Sequence, residues 1–198
     1  MDMHPELASD QRVQTPGPQL CMKRPGLDGL QEINLPAGYT IRASHEGEGH
    51  HWAGILREAF ADNSFDEARF DREMKQHPAY DSDRIFFVCS SSGLPCGTAS
   101  AYRDASFGET TGMLHYVGVR PSEAGKGLGM AVSLAALNRF REEGLESAFL
   151  QTDDHRLAAI KTYLRLGFLP LVVHESHPQR WNTVFIAMRR LHSCRSDG

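Results

Sequence analysis

The 198-residue sequence predicts an α/β protein with a mixed sheet. Three observations carry this. Apolar runs of strand type and apolar stripes of helix type succeed one another as β, α, α, β, β, β, α, β, α, β, β. An apolar run, Met113 to Val119, leads through a glycine-rich loop into a helix and then a short strand, Ser147 to Thr152, which is a βαβ crossover of the right-handed kind. Hydrophobic residues make up 40% and charged residues 23%, enough apolar material for a core in one soluble domain.

Residues 1–36 carry Pro5, Pro16, Pro18, Pro25 and Pro36 without a long periodic pattern, and read as an irregular arm. Gly38 to Arg42 alternates as a first strand. Trp52, Ile55, Leu56, Ala59 and Phe60 form one helical stripe. Phe65 to Met74 is a second, more polar helix, closed by Pro78. Arg84 to Cys89 and Cys96 to Tyr102 are hairpin partners across a turn at Ser90 to Leu94. Leu128, Ala131, Leu134, Ala135 and Phe140 mark a helix ending near Gly144; Leu157, Ile160 and Leu164 mark another, closed by Gly167. Phe168 to Val173 and Thr183 to Met188 complete the strands. The expected organisation is an arm (1–36), a domain (37–190) and a short tail (191–198).

Composition narrows the function. The net charge is −4 and no basic block is interleaved with aromatics, which argues against nucleic-acid binding. No apolar stretch approaches the ~20 residues of a membrane span, and the N-terminus lacks an apolar leader core. Cys21, Cys89, Cys96 and Cys194 show no metal-type spacing, so a reduced cytoplasmic protein is the simplest expectation; a Cys89–Cys96 bridge across the hairpin is the alternative. His174-Glu175-Ser176-His177 is one residue short of the HExxH zinc motif and sits beside Pro178, so no metal is expected. His50-His51 reads as a solvated pair.

The chemistry concentrates in Val117-Gly118-Val119-Arg120-Pro121-Ser122-Glu123-Ala124-Gly125-Lys126-Gly127-Leu128-Gly129. Glycines strip the loop of side chains, so backbone N–H groups can crowd around an anion at the positive end of the following helix. It is not a P-loop, because Lys126 is followed by Gly127; nor a dinucleotide fingerprint, because Met130 and Val132 stand where a third glycine is needed.

The segment resembles the acetyl-CoA loop of the GNAT (Gcn5-related N-acetyltransferase) superfamily, whose pattern is Val-x-Pro followed by Gln/Arg-x-x-Gly-x-Gly/Ala. Here Val119-Arg120-Pro121 and Ala124-Gly125-Lys126-Gly127-Leu128-Gly129 supply it, with Ala124 in the Gln/Arg position and Lys126 offering a charge nearby. Arg156-Leu157-Ala158-Ala159-Ile160-Lys161-Thr162-Tyr163-Leu164-Arg165-Leu166-Gly167-Phe168 resembles the family's Asn-x-x-Ala-x-x-x-Tyr-x-x-x-Gly-Phe, with Arg156 in place of Asn. The resemblance covers about residues 38–188. The stretch Thr152 to Arg156 with the Tyr163 helix is also similar to the mycothiol-synthase-like branch, a likeness given little weight for the substrate.

The resemblance implies a mixed, mostly antiparallel twisted sheet of about seven strands flanked by about four helices. It implies an acetyl-CoA-dependent N-acetyltransferase acting by direct transfer to a primary amine, with acetyl-CoA as co-substrate. Val117, Val119, Ala124, Gly125, Lys126, Gly127, Leu128, Gly129, Arg156 and Ala159 would hold the co-substrate. Arg156, Ala159 and Tyr163 share a helix face, and a tyrosine at the position of Tyr163 protonates the departing thiolate in the family. An amine of pKa ~10.4 is about one part in a few thousand neutral at pH 7, a cost of roughly 4–5 kcal/mol, so a base is needed. His115, expected by alternation to share a face with Val117 and Val119, is the candidate, with Tyr116 and Glu109 in reserve and a packed sheet histidine as the alternative. Trp52 and Phe60 are expected in the core, with a role in lining the acceptor site as the alternative. A module that binds CoA without transferring acetyl is the alternative function. The segments 45–80, 103–112 and 174–183 are expected to set the acceptor, a small molecule or peptide amine, and C-terminal strand pairing makes a homodimer one arrangement.

Overall fold

A computed structural model describes residues 17–196, so the first sixteen residues of the expected arm lie outside the described residues. Seven strands form one sheet: β1 (Leu20–Arg24), β2 (Thr40–Ala43), β3 (Ile85–Cys89), β4 (Pro95–Tyr102), β5 (Thr111–Val119), β6 (Ser147–Thr152) and β7 (Leu169–Leu171), in the spatial order β2-β3-β4-β5-β6-β1-β7. Every neighbouring pair is antiparallel except β5 and β6, which the long helix of the glycine-loop crossover joins in parallel.

Among the described residues five α-helices flank the sheet: α1 (Gly49–Phe60), α2 (Glu67–Phe70), α3 (Leu128–Glu142), α4 (Leu157–Arg165) and α5 (His177–Ser196). The stripe of α1 buries Trp52, Ile55 and Leu56 against Phe65, Phe70, Met74 and Phe87. Helix α2 is capped by the Asp66 carboxylate and runs on into a π-helical turn, Asp71–Lys75. On the other face Phe140 of α3, Ile160 of α4, Phe168, and Trp181 and Val184 of α5 share the main core.

Two elements correct the sequence reading. β1 lies inside the segment expected to be irregular; it sits between β6 and β7, with Leu20 and Met22 fully buried. Thr183 to Met188, expected as a strand, is part of α5, and that helix runs through residues expected as a tail. Cys21, Cys89 and Cys96 are free thiols, so the hairpin carries no bridge; burial raises the Cys96 thiol to about 11.

Two irregularities in β5 shape the middle of the sheet. β5 pairs with β6 only over Thr111–Met113, opposite Ser147–Phe149; beyond that the parallel ladder ends. Against β4 the register slips by one residue, since Thr98 faces Gly118 but Ser100 faces His115, and Tyr116 takes φ 48 at the bulge. The bulge overrides alternation. The His115 ring stands 3.7 Å from that of Tyr116 and 5.4 Å from that of Tyr102, on the α1–α2 face, whereas Val117 and Val119 pack on the main core. His115 therefore does not share a face with Val117 and Val119. A Cβ on Gly118 would come within 2.7 Å of Leu56, so only glycine lets α1 lie this close to β5.

Candidate active site

After β5 the chain makes a tight turn at Pro121–Glu123 and enters the glycine loop. Gly125 (φ 80) and Gly127 (φ 78) hold left-handed conformations, and Gly127 stands directly before α3. A Cβ on either would meet nothing within 4 Å, so the loop presents bare backbone to open space at the helix N-terminus. That is the geometry of an anion cradle.

The loop forms one wall of a cleft of about 510 Å³. Val117, Gly118 and Val119 form its floor; Ala124, Gly125, Gly127, Leu128 and Gly129 form the loop side; Arg156, Ala159 and Tyr163 of the α4 segment close it. Of the residues expected to bind the co-substrate, Lys126 alone is not among the lining residues. Its Nζ donates to Glu123 Oε2 at 2.8 Å and to Tyr39 Oη at 2.8 Å, and these bonds raise its pKa.

A second hollow, about 400 Å³, lies on the α1–α2 side. Phe60, Asp62, Phe65 and Arg69 line it with His115 and Tyr116. The two spaces share Val117, His155, Arg156 and Tyr163, where β5 has parted from β6. A long ligand in the first space can thus present its reactive end to a molecule in the second.

The titratable groups at this junction are strongly perturbed. Burial lowers His115 to about 4, so its imidazole is neutral at pH 7. Burial raises the Tyr163 phenol, and the Arg156 cation opposes that rise. The Tyr116 hydroxyl donates to Glu73, and both burial and that carboxylate raise its pKa. Burial works against ionisation of Glu73, but bonds from Tyr116 and Arg69 hold its carboxyl below the usual range. Arg69 Nε donates to Glu73 at 3.0 Å and its guanidinium lies 3.8 Å above the Phe65 ring. Arg156 Nη2 donates to the Val117 carbonyl at 3.1 Å, with its guanidinium 4.2 Å over the Phe60 ring.

Phe60, weighed as core or acceptor lining, lines the second hollow, while Trp52 is fully buried. Of the three segments expected to set the acceptor, 45–80 contributes and the other two do not line this hollow; Glu109 is exposed outside it. Asp62 and Arg69 carry no motif, and the sequence assigns no role to His155, inside the Thr152–Arg156 stretch. His50 is exposed, and His177 is buried with Nδ1 3.3 Å from the Leu171 carbonyl. Among the described residues no three His, Cys, Asp or Glu side chains group as a metal site, and no helix is long and apolar enough to cross a membrane.

Residues 50–168 match the profile of the Acetyltransferase (GNAT) family. A mycothiol acetyltransferase from Thermobispora bispora is 32% identical over 155 residues, 74% of this chain and 52% of that protein. One from Streptomyces avermitilis is 34% identical over 153 residues, 74% of this chain and 48% of that protein. The chain thus spans about half the length of the curated relatives it matches. Among solved structures, a GCN5-related N-acetyltransferase from Sphaerobacter thermophilus superposes with a TM-score of 0.65 at 21% identity, over 78% of this chain and 49% of that one. The ribosomal-protein-S18-alanine N-acetyltransferase from Escherichia coli does so with a TM-score of 0.55 at 20% identity, over 68% of this chain and 79% of that one. These solved structures share the fold.

Proposed function

The chain belongs to the Acetyltransferase (GNAT) family, and from that premise we propose that it transfers acetyl from acetyl-CoA to the primary amine of a small molecule by direct attack in a ternary complex. One observation carries this reading: the glycine-loop cleft and the second hollow adjoin, sharing Val117, His155, Arg156 and Tyr163 as lining where β5 and β6 part.

The amides from Gly125 to Gly129 and the N-terminus of α3 would take the pyrophosphate. Beyond Met113 the β6-facing edge of β5 is free of the sheet ladder and would offer main-chain groups to the pantetheine and the thioester carbonyl. Tyr163, buried and neutral, would give its proton to the departing sulfur. The thiol has a pKa of ~8.5, so such a donor assists an already tolerable leaving group. The acceptor would lie in the second hollow, whose lining includes Phe60, Phe65, His115 and Tyr116. The mycothiol acetyltransferase relatives support a small-molecule amine as acceptor. Among the described residues no cysteine lines either space, which favours direct attack over an acyl-cysteine route.

A thiol-release assay with acetyl-CoA and a panel of amines, amino acids, polyamines, aminoglycosides and peptides tests this. CoA release that depends on the amine supports it. Binding of acetyl-CoA without release for any amine rejects it in favour of a CoA-binding module.

A further inference from the structure

Arg156 stands apart from most half-buried arginines of this fold. Arg42, Arg69, Arg84, Arg139 and Arg180 each hold a carboxylate. Arg156 has no carboxylate within ion-pair distance among the described residues; it rests on the Val117 carbonyl at 3.1 Å and the Phe60 ring at 4.2 Å. A half-buried guanidinium held by a carbonyl and a ring keeps its full charge available. It lines both spaces, as does Tyr163, which lies seven residues on along the same helix face.

The other charges at the junction do not compete. Asp62 is paired with Arg69 at 3.4 Å, Glu123 with Lys126 at 2.8 Å, and Asp153 accepts from Gln19 at 3.0 Å. His155 and Arg165 are exposed, and His115 is neutral at pH 7. Arg156 is accordingly the cation, without a carboxylate partner among the described residues, that shares both spaces with the Tyr163 side chain.

We propose that Arg156 is a positioning residue that works through Tyr163: its fixed charge favours passage of the Tyr163 proton to the departing sulfur. This rests on the acetyl-transfer reading above. In the step the amine nitrogen bonds to the acetyl carbon, and the carbon–sulfur bond breaks with its electron pair on sulfur. The Tyr163 hydroxyl proton goes to that sulfur, leaving a phenolate. The nitrogen then gives up one proton to water, and the phenolate takes one back. A buried phenolate without a counter-charge is costly, and Arg156 supplies that counter-charge where the family pattern has a neutral asparagine.

The test is a double-mutant cycle with Arg156→Gln, Tyr163→Phe and both together, alongside Arg156→Lys. At pH 7 Arg156→Gln is expected to lower kcat about tenfold, a fraction of what a general acid contributes, with Arg156→Lys restoring most of the loss. In the Tyr163→Phe background Arg156→Gln should cost less than about twofold, because the proton it assists is gone. Equal losses in both backgrounds, or a change confined to the acceptor KM, overturn the proposal. A second readout needs no turnover: in protein carrying 3-fluorotyrosine, the Tyr163 resonance should titrate at higher pH in Arg156→Gln than in wild type. An unchanged titration rejects the coupling even if wild-type protein acetylates no amine, and absence of turnover alone rejects the acetyl-transfer reading. Thermal melts of each variant separate these effects from loss of folding.

Discussion

Gly127→Ala is the sharpest probe of the anion cradle. Gly127 sits at φ 78 directly before α3, and a Cβ there meets nothing within 4 Å. The added methyl clashes with nothing outside its own backbone, so the whole effect is the cost of a left-handed L-residue, about 1–2 kcal/mol. The loop can hold its shape and lower stability, or relax in the free protein and weaken binding of acetyl-CoA. The two losses should sum to about 1–2 kcal/mol, since the bound state needs the cradle intact. Taken wholly in affinity, that is a 5- to 30-fold rise in Kd; taken wholly in stability, about 2–8 °C of Tm for a chain of this size. Isothermal titration with acetyl-CoA and calorimetric melting measure the two halves. Gly26→Ala is the control: its φ is not left-handed and its Cβ meets nothing, so its Tm should stay level or rise. A combined loss below about 0.5 kcal/mol for Gly127→Ala refutes the cradle reasoning.

Three further outcomes are expected. Gly112→Ala places a Cβ 2.4 Å from the Phe140 ring, and should cost about 1–3 kcal/mol in urea unfolding as α3 shifts off β5. Glu48 is held at about 2 by its bonds from Arg42, so its contribution to stability is complete above its ordinary value of 4.5 and is lost as pH falls toward 2; Glu48→Gln should flatten the acid limb of a stability–pH curve. Burial holds His115 at about 4, so His115→Ala should leave the apparent pKa values of kcat/KM between pH 5 and 9 in place; loss of a limb in that range would assign it as the base.

The glycine loop and the Tyr163 helix were legible because their chemistry is local: spacing alone puts bare amides before α3, and Arg156, Ala159 and Tyr163 on one face. β1 was not legible. Leu20-Cys21-Met22 is a brief apolar run among prolines, and it is a strand only because β6 and β7, over 120 residues away, flank it on both sides. The α5 helix was legible in principle: Trp181, Val184, Phe185 and Met188 recur at helical spacing and pack on the main core, but Thr183, Val184, Phe185 and Ile186 favour strand locally. The facing of His115 depends on the bulge at Tyr116, set by pairing with β4 and not by any residue type in β5. Asp62, Arg69 and His155 meet the site only through the placement of α1, α2 and the turn before α4.

The most direct measurement is amine-dependent release of CoA thiol from acetyl-CoA by wild-type protein and Tyr163→Phe at neutral pH. The account predicts release by wild-type protein, a loss of about 10²-fold or more in kcat on removal of the hydroxyl, and acetyl-CoA affinity within about twofold. Equal turnover by the two proteins would contradict it.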